Sequence, residues 1–362
     1  MKQINELSMM INQHFNWNKA RMNCFIGMLI ALLSTRSINL TELAMAFPSP
    51  AKLDSRYRRI QRFITEYSPN FDKVAWFIMG LFNFIASDYY LTMDRTNWRW
   101  GKKDINILVL AVAYKGAAIP IYWMLLNKKG NSSTLEREVL VNRFIKQFGK
   151  KHILGLLADR EFIGKKWFEW LKAQEIDFVI RIKKDAKTTN SQGQKLQVQH
   201  LFRFLKVGEK QSIQDLRMIT DAGVYLTALR LDNGELLILA SSKKTEQAIE
   251  SYKERWQIET LFSCLKGRGF NLEDTHVTQR LRIKRLLIVP VIAFCWAHRI
   301  GEWQHEKVKE IKVKKHERLA KSIFRVGLDL LRDTLFKRVH SFDCSLKPFF
   351  QFIDFNKLYA KC

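Results

Sequence analysis

Between Asp88 and Ile182 the chain alternates in a way that few architectures accommodate. The stretch Asp88-Tyr89-Tyr90-Leu91-Thr92-Met93-Asp94 is short, aromatic and β-prone, and it reads as a strand ending on an aspartate. Residues 105–114 are apolar apart from Asn106, as a strand buried on both faces should be. After the turn Lys115-Gly116, residues 119–126 read as a third strand, with Pro120 an obstacle near its start. Helical periodicity follows over 134–148, then a strand over 153–159 that again ends on an aspartate, a helix over 163–174 and a strand over 177–182. Three strands in a meander and then alternating helix and strand predict a mixed α/β sheet with helices packed on it.

That order is the order of a ribonuclease-H-like fold, in which the first and fourth strands lie side by side. Asp94 and Asp159 would then meet at their strand ends. A single strand-end aspartate is ordinarily a cap or a turn residue, so the pair matters more than either member.

A third acidic residue comes from the helical run Tyr252-Lys253-Glu254-Arg255-Trp256-Gln257-Ile258-Glu259-Thr260-Leu261-Phe262-Ser263-Cys264-Leu265-Lys266. At ~100° per residue, Tyr252, Arg255, Glu259 and Lys266 fall within about 60° of one another, beside an apolar stripe of Ile258, Leu261 and Leu265. Taken alone, this describes an amphipathic helix with a charged face. Trp256 reads as a packed residue. The spacing, together with Asp94-Arg95-Thr96-Asn97-Trp98 and Leu157-Ala158-Asp159-Arg160-Glu161-Phe162, resembles the motifs of cut-and-paste DDE transposases of bacterial insertion sequences. The match is to the insertion-sequence-four family and its Y-R-E-K signature.

The resemblance implies that Asp94, Asp159 and Glu259 hold two Mg²⁺ ions, with Mn²⁺ as a substitute. It implies that Tyr252, Arg255 and Lys266 act on the transposon end, and that Arg160 follows the second catalytic aspartate as in the family. Two ions about 3.5–4 Å apart can generate the nucleophile, stabilise the phosphoryl oxygens and assist the leaving oxygen. Mg²⁺ prefers oxygen ligands, so neither a histidine nor a cysteine cage is expected. The partners implied are double-stranded DNA, as terminal inverted repeats and as target, and a second copy of the chain in a synaptic homodimer. Two other readings stay open: a DNA-binding relic that no longer cuts, and a ribonuclease-H-like nuclease without strand transfer.

Charge points the same way. Sixty-one Lys and Arg against 35 Asp and Glu leave a formal net charge of +26, an electrostatic footprint for a polyanion. Membrane surfaces are the rival partner, but the apolar runs at 25–33 and 286–297 fall short of the ~20 residues that span a bilayer. The N-terminal residues lack the layout of a secretory signal, so a cytoplasmic, nucleoid-associated protein is expected. Cys24, Cys264, Cys295, Cys344 and Cys362 are odd in number and without metal or redox spacing, and they read as incidental thiols.

Five regions follow. Residues 1–86 are expected to form a helical DNA-binding region. Its sharpest feature is the basic stretch in which Arg56, Arg59, Arg58 and Arg62 flank Tyr57, Ile60 and Ile64. Residues 87–184 form the first part of the core. A β-rich insertion, 185–244, carries a hairpin signal at Asp232-Asn233-Gly234. The resemblance implies that at least some family members with such an insertion stack a tryptophan from it on a flipped base; this chain has no tryptophan between Trp170 and Trp256, leaving only Tyr225 or Phe204 as substitutes. Residues 245–300 complete the core, and 301–362 form a basic helical region with an exposed run including Lys307, Lys309, Lys312, Lys314, Lys315, Arg318 and Lys321.

Overall fold

The computed structural model describes residues 2–315, 319–340 and 346–353; Arg318, Cys344 and Cys362 lie outside them. Five helices lead: α1 (Lys2–Phe15), α2 (Lys19–Thr35), α3 (Leu40–Met45), α4 (Leu53–Glu66) and α5 (Phe71–Leu81). Asn18, Asn39 and Asn70 start α2, α3 and α5 by accepting hydrogen bonds from first-turn N–H groups. The apolar run 25–33 forms the buried middle of α2. That explains a helix that is hydrophobic on every side.

The core sheet begins with β1 (Tyr89–Trp100), β2 (Lys103–Tyr114) and β3 (Ala117–Leu125), an antiparallel meander. After α6 (Thr134–Phe148), β4 (Ile153–Ala158) runs parallel to β1 with Met93 opposite Ala158. After α7 (Lys165–Ala173), β5 (Phe178–Arg181) runs parallel to β4. The resulting order β3-β2-β1-β4-β5 is the ribonuclease-H-like arrangement. Pro120 is accommodated because β3 is an edge strand, where a missing N–H costs nothing, and the register shifts beside it.

β1 does not end at Asp94, as the sequence suggested. It continues six residues to Trp100, paired with β2 as far as Lys103, and only the pairing to β4 stops at Met93. The alternation of buried Thr96 and Trp98 with exposed Asn97 and Arg99 was the available signal. Asp94 thus sits where β1 loses its parallel neighbour.

The next segment carries the short ribbon β6 (Lys187–Thr189) and β7 (Lys195–Gln197), the turn of helix α8 (Val198–Leu201), and β8 (Lys210–Ser212), β9 (Arg217–Ile219), β10 (Ala222–Arg230) and β11 (Leu236–Ser241). β11 pairs antiparallel with β5, so β11, β10 and β8 extend the core sheet. The hairpin expected at Asp232-Asn233-Gly234 joins β10 to β11.

The last helices are α9 (Ala248–Lys253), α10 (Gln257–Leu265), α11 (Arg280–Leu286), α12 (Ile288–Trp303), α13 (Ile323–His340) and α14 (Lys347–Phe350). α12 is buried along nearly its whole length, which accounts for the apolar run 286–297. It crosses α13 at backbone contact: a Cβ on Gly301 would fall 1.9 Å from the Ile323 carbonyl oxygen, and one on Gly327 1.8 Å from that of Ala297. Among the described residues, no helix is long and apolar enough to cross a membrane.

Candidate active site

The backbone places Asp94 and Asp159 next to each other, because Met93 and Ala158 are register partners on parallel strands. Each carboxylate is held by the N–H that follows it. Asp94 Oδ1 accepts from Arg95 N at 2.7 Å, and Asp159 Oδ1 accepts from Arg160 N at 2.7 Å.

A second pair braces the same corner. Arg95 donates from Nε and Nη2 to the two oxygens of Glu161, both at 2.7 Å, and also reaches Asn106 and Asn131. Arg137, buried, donates to the Glu161 carbonyl at 2.9 Å. This bidentate clamp ties β1 to the loop after β4. Sequence reasoning quoted Arg95 and Glu161 as motif letters and missed that they bind one another; their contact spans 66 residues and leaves no local signature.

The Tyr252–Lys266 segment departs from the helix expected there. It is broken by a 3₁₀ turn, Glu254–Trp256, between α9 and α10, and Lys266 lies just past the end of α10 with non-helical backbone. The four signature residues therefore do not share one exposed face. Tyr252 is buried against Leu157, Val179, Leu237 and Leu239, and its hydroxyl has no hydrogen-bond partner among the described residues. Trp256, expected to be packed, is 40% exposed. Lys266 pairs with Glu273 at 2.7 Å.

Arg255 is the member that reaches the aspartates. It is 2% exposed, with Nη2 2.5 Å from Glu259 Oε1 and Nη1 3.5 Å from Asp94 Oδ2. Its Nε and Nη1 make no hydrogen bond among the described residues, although both are buried. Glu259 is exposed and drawn onto Arg255 rather than onto the aspartates. Among the described residues, no three Asp, Glu, His or Cys side chains are gathered closely enough to hold an ion.

Electrostatics at Asp94 mark a carboxylate short of compensation. Burial pushes its pKa up to about 7; the Arg95 N–H and Arg255 pull it down, and Glu161 and Asp159 push it further up. The donors around the corner are all oxygens, the set that suits a hard divalent cation.

The remaining expected residues lie elsewhere. Arg160 is exposed beside Asp159. On α4, Arg56 donates to the carbonyls of Met45 and Phe47, and Arg59 donates to that of Ala20. Arg58 and Arg62 are the cations that α4 turns to solvent. In the β-rich segment Phe204 is 82% exposed, with the Arg203 guanidinium 4.6 Å over its ring.

The chain matches the family described as "Transposase DDE domain" over residues 87–296. None of the curated proteins matches it. Among solved structures it is similar to a piggyBac transposase in a cryo-EM synaptic complex with hairpin DNA, at 13% identity and a TM-score of 0.46, over 97% of this chain and 81% of that one. The family match spans more than half of the chain and contains Asp94, Asp159 and Glu259, and the chain accordingly belongs to the DDE-domain transposases.

Proposed function

We propose that the chain is a cut-and-paste transposase of the insertion-sequence-four family, with Asp94, Asp159 and Glu259 as its catalytic carboxylates and Tyr252, Arg255, Glu259 and Lys266 as its Y-R-E-K signature. The observation that carries this reading is the delivery of Asp94 and Asp159 to one corner by parallel strands, with Arg255 bridging Asp94 to Glu259. The oxygen donors suit Mg²⁺, or Mn²⁺ in its place, and two such ions would supply a nucleophile and neutralise charge on the phosphoryl oxygens.

In this reading Asp94, Asp159 and Glu259 would hold the two ions, and Glu259 would have to part from Arg255 to do so. The freed guanidinium then faces the phosphates next to the scissile bond, where Lys266 and Arg160 add charge. Tyr252 packs beneath Arg255 and sets its height. Arg56 and Arg59 fix the pose of α4, which presents Arg58 and Arg62 to DNA.

The substrate is double-stranded DNA, first the terminal inverted repeats and then the target, and two copies of the chain assemble in the synaptic complex of a cytoplasmic, nucleoid-associated enzyme. Residues 1–86 bind the ends, 87–184 and 245–300 form the catalytic core around the 185–244 insertion, and 301–362 add basic surface. The test is a labelled duplex carrying the DNA that flanks the gene, incubated with a target plasmid, Mg²⁺ and either the wild-type chain or Glu259→Gln. Joined products that vanish in the variant are expected. Nicking without joining would leave a plain nuclease, and specific binding without cleavage in both proteins would leave a DNA-binding relic.

A further inference from the structure

A second charged feature lies on another flank of α10. A cavity of about 900 Å³ is lined by Thr260 and Cys264 of α10, by the 267–268 loop, by the β2–β3 turn and by the start of α13. Six cations line it: Arg36, Lys115, Arg268, Lys314, Lys321 and Arg325. Among the described residues, none of those lining it is acidic.

Three carboxylates lie close to those cations. Glu302 and Glu306 pair with Lys115, and Asp329 pairs with Lys321 and Arg325. Arg268 and Lys314 make no ion pair among the described residues. Arg36 is anchored by donating to the carbonyls of Gly269 and Arg268, and burial and the neighbouring Arg325 and Arg332 push its pKa down while Asp329 opposes them. Cations are crowded here by the fold rather than dispersed.

The lining also contains His298, which is 1% exposed and has no hydrogen-bond partner on either ring nitrogen among the described residues; both nitrogens are buried, so the imidazole borders the cavity without presenting them to it. The volume is that of a pocket for a small molecule, not of a surface that follows a duplex.

We propose that this cavity is a phosphate site that admits the terminal nucleotide of a DNA strand. Arg268 and Lys314 meet the phosphate at the mouth. The phosphate chemistry stands on the cavity's own residues; naming a DNA strand as the source rests on the transposase reading.

The test titrates the full chain, in chelator, with a 5′-phosphorylated dithymidine dinucleotide, the same dinucleotide without phosphate, and pyrophosphate, followed by calorimetry. Saturable binding of the phosphorylated dinucleotide is expected. It should weaken about tenfold in Arg268→Glu/Lys314→Glu, and it should stay unchanged in Lys184→Glu/Lys206→Glu, which reverses charge at two exposed lysines outside the cavity. Both variants should keep the wild-type Tm, and binding should move the His298 imidazole resonances. Pyrophosphate binding as tightly as the phosphorylated dinucleotide would keep the phosphate site but give it to a free anion. No saturable binding of either, or equal loss in the two variants, overturns the site. With chelator present, none of these outcomes depends on the carboxylates.

Discussion

Two carboxylates in this molecule sit among cations at low exposure, and they are treated oppositely. Glu302 on α12, 3% exposed, accepts from the Tyr114 hydroxyl at 2.5 Å and pairs with both Lys115 and Arg299. Burial alone would raise its pKa, but those three partners outweigh it and hold it below the usual value. Asp94, with its side chain 18% exposed, has one N–H and one guanidinium nitrogen at 3.5 Å, and its pKa is pushed up to about 7. Burial raises the pKa of both groups; at Glu302 three partners outweigh it and at Asp94 two weaker ones do not, and a structural charge cluster differs from a candidate metal site in this respect.

The largest effect that would break this contrast comes from Glu302. Glu302→Ala leaves Arg299 and the Tyr114 hydroxyl without their acceptor and Lys115 with Glu306 alone, and should cost about 1–3 kcal/mol in urea unfolding, the range for buried polar partners left unsatisfied. A loss below about 1 kcal/mol would mean that the cluster is as slack as the one at Asp94.

Asp94→Asn should go the other way. In chelator at pH 7.5 we expect its Tm to rise by roughly 2–4 °C, and in Mg²⁺ its DNA cleavage should disappear. The sign follows from the raised pKa. Asp94 contributes most to stability below its ordinary 3.8, and that contribution is lost as pH rises towards 7, so the variant's advantage should vanish near pH 4. Adding Mn²⁺ should raise the wild-type Tm and leave the variant's unchanged. A Tm that falls in the variant would show that Asp94 is compensated after all.

Arg255→Gln sharpens the comparison further. It removes the cation now bridging Asp94 and Glu259, so Mn²⁺ affinity measured by calorimetry should increase several-fold, and weaker binding would show that Arg255 positions the carboxylates rather than occupying their charge.

The smallest effect concerns His298. Burial pushes its pKa down to about 4, with nearby Arg299 and Lys115 adding and Glu302 opposing. It is neutral in the folded chain, so its contribution is full above about 6.5 and is lost as pH falls towards 4. His298→Gln should flatten the Tm–pH curve across that window, and an unchanged curve would place the acid sensitivity elsewhere.

Local pattern carried the strand order and both aspartates. Aspartate at the end of an apolar β-prone run is a short-range signal, and parallel pairing of β1 and β4 follows from connectivity. What escaped was everything decided by contact at a distance. Periodicity assumes an unbroken helix, whereas Arg255 is turned inward by a 3₁₀ turn so that it can meet a carboxylate 161 residues upstream. Arg56 and Arg59 look like free cations in sequence because the carbonyls they bind, on Met45, Phe47 and Ala20, are invisible to side-chain patterning. Trp256 is exposed for a related reason: the turn that buries Arg255 rotates its neighbour outward.

The join between β5 and β11 bears on how the protein can be dissected. Leu239, Ala240 and Ser241 satisfy the backbone of Arg181, Ile180 and Val179. Excising 185–244 to obtain a minimal core would uncover an apolar parallel strand with unpaired N–H and C=O groups, a template for aggregation. A soluble truncation should instead retain the β10–β11 hairpin, and insertions for tagging or labelling belong at its Asp232–Gly234 tip, where the chain is exposed and no strand is interrupted.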